Sequence, residues 1–360
     1  MKRSRSHQSS TIKIVVAIIY LLLSLTHSLT HSLTHSLTHS SHTPTSPPTP
    51  TYTTMNWTPD PSTLQQVLLM LQALRDPTLP SHPHALTTLS TDTTNPIFVL
   101  HLVHIFSQGG NSNLDIPVDI RQLAGLITKN YVFPRLVELS HDVFSVIKSE
   151  VLNGLSDSIG TIRNTAGLLI GRITSSFMME YWVDIMEALL GGAIRLPENL
   201  LELQGDSEDG NGSGNGNSAV SMRIDGSLLA IKRICEDSAE KLFMDTENRP
   251  LETLIPQLLA MFASPVASHR LKSIESINAL IYLIPTEGGS HGGTPCALIT
   301  YMGAFLTALA QMAADPSANI RRAVCQALVL LTSFQVAVLV PMLSEVCQFM
   351  LQNISDEVCM

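Results

Sequence analysis

Charged and aromatic side chains are both scarce in this 360-residue chain: Asp, Glu, Lys and Arg make up 14% of it, and Phe, Trp and Tyr 5%. Sparse aromatics fit helix pairs packed through Leu, Ile, Ala and Met. Basic side chains are outnumbered, and the formal net charge is -9. The first 54 residues hold Lys2, Arg3, Arg5 and Lys13 and no acid, so the remainder carries -13. An acidic body is a poor nucleic-acid binder, because neutralising phosphates takes a basic face, and it suits basic protein partners better. The five cysteines, Cys235, Cys296, Cys325, Cys347 and Cys359, form no CxxC pair and no zinc spacing. They read as free thiols in a reducing compartment. No Walker loop, GxSxG, HExxH or kinase signature occurs, so the expectation is binding without catalysis, cofactor or metal.

The beginning of the chain has a different character. Residues 1–54 open with a basic start and an apolar run from Ile14 to Leu23, the anatomy of a secretory signal. That run is too short for a membrane span. It leads into "SLTHSLTHSLTHSLTHS", an unvarying tetrapeptide repeat that matches no core period, and six of the chain's thirteen histidines fall in residues 1–54. Helix patterning begins at Met55, which is the expected true start, with the leader as a disordered or misassigned extension. The alternative is a functional signal and a secreted protein, in which case Asn56, Asn211 and Asn353 would be glycosylation acceptors.

From Met55 on, one pattern recurs. "DIRQLAGLIT" carries Arg121, "DSIGTIRNTAGLLI" Arg163, "SPVASHRLKSIESINALI" Arg270 and "DPSANIRRAVCQALVLL" Arg321; in "IDGSLLAIKRICEDSAE" Asp225 takes the arginine position. Once two Gly-rich stretches at 205–218 and 287–295 are set aside as inserted loops, the period is in the low-to-middle forties, the range of HEAT or armadillo repeats. The segments ahead of each copy, such as "LETLIPQLLAMF", "AFLTALAQMAA" and "VLVPMLSEVCQFML", have apolar residues at i, i+3, i+4 and i+7. Each unit therefore reads as an outer helix, a turn with Asp, Pro or Ser, and an inner helix opened by the arginine. A single pair leaves apolar faces uncovered, so the pairs must stack into a superhelix. The arginines would pair with carboxylates of the preceding turn, in a ladder along the array.

Five stretches resemble the N-terminal part of the transportin family, the karyopherin β-2 import receptors: Trp57 to Asp76, "LAGLITKNYV" at Leu123 to Val132, Val146 to Ile173, "ICEDSAEKL" at Ile234 to Leu242 and "RPLETLIPQLLAMF" at Arg249 to Phe262. The resemblance runs in order over 55–360. It implies an all-α HEAT-repeat superhelix of about six repeats, truncated at its C-terminus inside a helix near Asp356. It further implies a nuclear import receptor that shuttles between cytoplasm and nucleus and binds the GTP-loaded small GTPase Ran through its inner helices. Nucleoporins would be further partners, with cargo bearing nuclear localisation signals held only by a full-length chain. Nucleic acid and membranes are not expected. The first inner helix should fall near "TLPSHPHALTTLSTDTTNP", which is shorter than the family's segment and holds Pro80, Pro83 and Pro96, so its GTPase contacts are in doubt.

For the GTPase contact the candidates are Lys129 and Asn130 at an inner-helix end, and Glu236, Asp237 and Ser238 in "ICEDSAE", which could equally just solvate a helix end. Arg163 and Asn164 are further candidates, although the ladder accounts for the arginine as well. A HEAT scaffold organising a complex without a GTPase is the alternative function.

Overall fold

The computed structural model describes residues 57–108, 115–177, 184–191, 214–245, 247–283, 297–334 and 344. The leader, the 287–295 stretch, "VLVPMLSEVCQFML" apart from Ser344, the three sequon asparagines Asn56, Asn211 and Asn353, and Cys296, Cys347 and Cys359 lie outside the described residues. Among the described residues there are helices and no strand, as the all-α reading expects. None of their helices is long and apolar enough to cross a membrane.

Thirteen α-helices run through the described residues: α1 Pro61–Arg75, α2 His82–Asp92, α3 Pro96–Ser107, α4 Val118–Ile127, α5 His141–Gly154, α6 Gly160–Phe177 and α7 Ile185–Gly191 in the first part. There follow α8 Gly214–Met244, α9 Pro250–Ala260, α10 Ala267–Asn278, α11 Ala297–Thr300, α12 Met302–Met312 and α13 Ala318–Phe334. Their starts obey capping chemistry. Asp60 accepts from the amide of Thr63 ahead of α1, and Asn95 from that of Ile97 ahead of α3, each with Pro at the first helical position, where no amide is missed. The three prolines in and around the second helix do not interrupt it. Pro83 sits in the first turn of α2, whereas Pro80 precedes it and Pro96 opens α3.

The helices stack in two layers. The arginine-bearing helices α4, α6, α8, α10 and α13 each touch the next, and so form one layer. In the other layer α1 touches α3 and α3 touches α5; further on, α7 touches α9 and α9 touches α12. Apolar stripes meet between the layers: Phe106 of α3 is wholly buried, as are Ala124 of α4, Ile147 of α5 and Leu169 of α6. Gly125 and Gly154 both face Phe106 so closely that an added Cβ would lie 2.7 and 2.9 Å from its ring. At the start of the array Trp57 stands edge-on to His101 and His104, with centroids 5.1 and 5.6 Å away. The last five residues of the 205–218 stretch belong to α8, and 205–213 are outside the described residues.

The arginine ladder exists, but its direction differs from the expectation. Arg163 donates to the carbonyls of Asp157 and Ser158, Arg270 to those of Ser264 and Pro265, and Arg321 to those of Asp315 and Pro316. The preceding turn thus offers backbone oxygens that the helix ends leave unpaired, and a planar fork of N–H donors suits two of them at once. The carboxylates come from the following pair instead. Arg121 reaches Asp157, Arg163 reaches Asp225 at 3.4 Å, and Arg270 reaches Asp315 at 2.8 Å. Asp157 and Asp315 in turn cap their own turns by accepting from the amides of Ile159 and Ser317.

Candidate functional site

The arginine-bearing layer has one irregular rung, in α8. There Asp225 stands where the other copies have Arg, and it is held from both sides. Arg163 of α6 reaches it from one neighbour, and Lys272 and Ser268 of α10 from the other. Burial alone would raise the Asp225 pKa, but the Lys272 ammonium, the Ser268 hydroxyl and the Arg163 guanidinium outweigh it and hold the carboxyl below its usual range. Gly226 beside it brings the α8 backbone against the end of α5: a Cβ there would lie 2.1 Å from the Leu155 carbonyl oxygen. The glycines of "GLLIGRI" serve helix packing as well, since Gly167 and Gly171 of α6 face Leu229 and Arg233 of α8.

The seven candidate contact residues all lie on this layer, and the structure divides them. Lys129 and Asn130 sit in a π-turn, Thr128–Val132, that extends α4; Lys129 is half-buried, Asn130 is exposed, and neither has an ion-pair or side-chain hydrogen-bond partner among the described residues. Asn164 is exposed on α6. Arg163 is taken up by the ladder, with its side chain 15% exposed. Glu236 is exposed on α8 and pairs with Arg233 at 2.7 Å and Lys232 at 3.7 Å. Asp237 is exposed; its carboxylate lies where a Cβ on Gly171 of α6 would come within 3.3 Å. Ser238 is different: it is 4% exposed, its Oγ has no hydrogen-bond partner among the described residues, and its backbone leaves the helical region at φ -138°, ψ 20°. A buried hydroxyl at a kink shapes α8 from inside the layer.

Other residues of this face were not singled out by the motifs. Lys241 of α8 donates to the carbonyls of Thr174 and Ser175 near the C-terminal end of α6, where a cation complements the helix dipole. Lys232 bridges to Glu275 of α10 at 2.7 Å. Arg172 on α6 and Glu240 on α8 are exposed. Only the i, i+3, i+4 spacing within "GLLIGRITSS" and "CEDSAEK" could have flagged the last two.

A shallow cleft of about 280 Å³ between α5, α7 and α8 is lined by Leu152, Leu155, Ala188, Leu189, Arg223 and Ser227, which include no acid–base pair. Among the described residues no cluster of His, Cys, Asp and Glu could hold a metal. Cys235 is a free thiol that burial pushes upward in pKa, so it is inert. What the layer offers is a polar face.

Comparison with known proteins gives that face a context. No family profile matches the chain. It is 31% identical to mouse Transportin-1 over 84% of its own length and 29% of that protein's, and 28% identical to Transportin of Dictyostelium discoideum over 84% and 28%. It is also 28% identical to importin subunit beta-2 of Schizosaccharomyces pombe over 68% of this chain and 24% of that one. Among solved structures the Kap95:Nup1 complex matches with a TM-score of 0.56 at 14% identity, covering 78% of this chain and 31% of that one, which shows a common fold. The chain spans less than a third of the length of the curated relatives it matches. Over most of its own length, the chain is a homologue of part of the transportins, the importin β-2 proteins.

Proposed function

We propose that this chain is part of a nuclear import receptor and binds the small GTPase Ran, in its GTP-loaded form, through the exposed face of α4, α6 and α8. The observation that carries this reading is the 31% identity to Transportin-1 over 84% of the chain. The fold supports it, because a stack of helix pairs presents an extended face suited to a protein partner. Lys129, Asn130, Asn164 and Asp237 are its proposed contacts, with Glu236 available in part and Arg163 and Ser238 acting from inside the layer. Its work is recognition, not catalysis. The named relatives support cytoplasm and nucleus as its compartments and give no support to the secretory alternative. Nucleoporins are a second proposed partner class, since the solved neighbour is a complex of Kap95 with Nup1. Cargo bearing nuclear localisation signals would require the longer receptor.

The test is retention of Ran from solution on the immobilised chain, with Ran locked in its GTP form or loaded with GDP and Transportin-1 as the positive control. The expected result is retention of the GTP form alone. A folded chain that retains neither form, while the control retains GTP-loaded Ran, overturns the reading. The internal use of Arg163 and Ser238 favours one other reading, a HEAT scaffold without a GTPase, and that predicts capture of partners with no dependence on nucleotide.

A further inference from the structure

Four charged side chains, in the π-turn after α4 and in the C-terminal halves of α6 and α8, are not spent on holding the layer together. Lys129 follows directly on α4, Arg172 lies on α6, and Asp237 and Glu240 lie on α8. None of the four has a counter-ion within 4.0 Å among the described residues, although ion pairs are plentiful nearby: Arg163 with Asp225, Lys232 with Glu275, Arg233 with Glu236. Arg172 and Asp237 make the contrast sharpest. The Asp237 carboxylate lies against α6 at Gly171, next in sequence to Arg172, yet the two do not pair. The π-turn that carries Lys129 touches α6, and α6 touches α8, so the four belong to one continuous patch. Neighbouring helices pack about 8–10 Å apart, so the sign of the patch changes from positive to negative over one helix spacing.

We infer that this patch is a two-signed docking surface, with Lys129 and Arg172 receiving an acidic ridge of a folded protein partner while Asp237 and Glu240 receive a basic patch beside it. A partner of a single sign, such as a uniformly basic tail or a polyphosphate backbone, meets repulsion on one half of the surface wherever it lies, so charge order selects orientation as well as identity. This deepens the proposed function and rests on it, because GTP-loaded Ran is the partner taken for the test. It adds Arg172 and Glu240, and it specifies which sign each half of the partner must present.

The experiment measures the affinity of the whole chain for Ran loaded with a non-hydrolysable GTP analogue, at low and high salt, for wild type, for Lys129→Glu with Arg172→Glu, and for Asp237→Lys with Glu240→Lys. Circular dichroism and melting temperature are recorded for each. As the four side chains make no internal pair, both variants should melt with the wild type. Each should bind about tenfold or more weakly, with a flatter salt dependence, as truncated interface charges do. Reversing all four together should not restore binding, because the partner then meets like charge on both halves. If wild type binds and both variants stay within about twofold of it, the docking surface is overturned while the proposed function stands. If only one pair matters, the two-signed surface is overturned in favour of one charged half. If wild type itself does not bind, the proposed function falls, and this inference falls with it.

Discussion

At the scale of the residue, close approach and capping set what each side chain can be. Gly226 is the tightest point: with the Leu155 carbonyl oxygen 2.1 Å from where a Cβ would be, no rotation of a side chain relieves the clash, and either α8 or the end of α5 must move. Gly226→Ala is expected to destabilise the chain by more than about 2 kcal/mol, in line with other overpacking changes. Gly303 in α12 is the counterexample, because nothing lies within 4 Å of its Cβ position. Gly303→Ala should stabilise by about 0.5–1 kcal/mol through helix propensity alone. Denaturant unfolding of the two variants checks both signs. Asp60, the cap of α1, has its pKa lowered to about 2, by the Ser62 hydroxyl first and then by the Thr63 hydroxyl and amide. A carboxyl depressed in the folded state adds stability above its unfolded pKa and loses it as pH falls through the folded value. The stability of wild type should therefore decline between about pH 4 and 2 by a component that Asp60→Asn lacks, since Asn caps without titrating. Parallel urea titrations of the two proteins across that range measure it, and superimposable pH profiles would contradict it.

At the scale of the element, the ladder separates what the motif could tell from what it could not. The arginine positions were legible because each opens an amphipathic helix after a turn rich in Asp, Pro or Ser, a purely local pattern. The partner carboxylates were not, because Asp157, Asp225 and Asp315 lie one helix pair further along, and no spacing within a repeat points forward rather than back. The setting of Ser238 was hidden for a similar reason. No pattern in "ICEDSAE" shows that the backbone departs from the helix at Ser238 or that its hydroxyl is buried. Asp225 shows what the ladder does. With cations from α6 and α10 on it, Asp225→Arg, which restores the letter of the motif, places a third cation beside Arg163 and Lys272. That variant should lose about 3–5 kcal/mol, as broken buried pairs do. Adding Lys272→Asp should recover part of the loss, and a double-mutant cycle on unfolding free energies tests the coupling. Additive losses would mean that Asp225 does not tie the helices together.

At the scale of the whole molecule, two stacked layers yield an extended face, and a face recognises by shape and charge. The layered architecture could be read from the recurring arginines because period and amphipathicity are properties of many residues together. Which charges stay free on the surface could not, because pairing is decided by neighbours in other helices: Glu236 is engaged by Arg233 and Lys232 while Asp237 next to it is not. Hydrogen exchange of the chain with and without GTP-loaded Ran tests the central claim most directly. Slowed exchange is predicted along α4 with its π-turn, α6 and the C-terminal half of α8, with α1, α3 and α5 unchanged and GDP-loaded Ran without effect. Protection confined to α1, α3 and α5, or protection indifferent to nucleotide, would contradict the account.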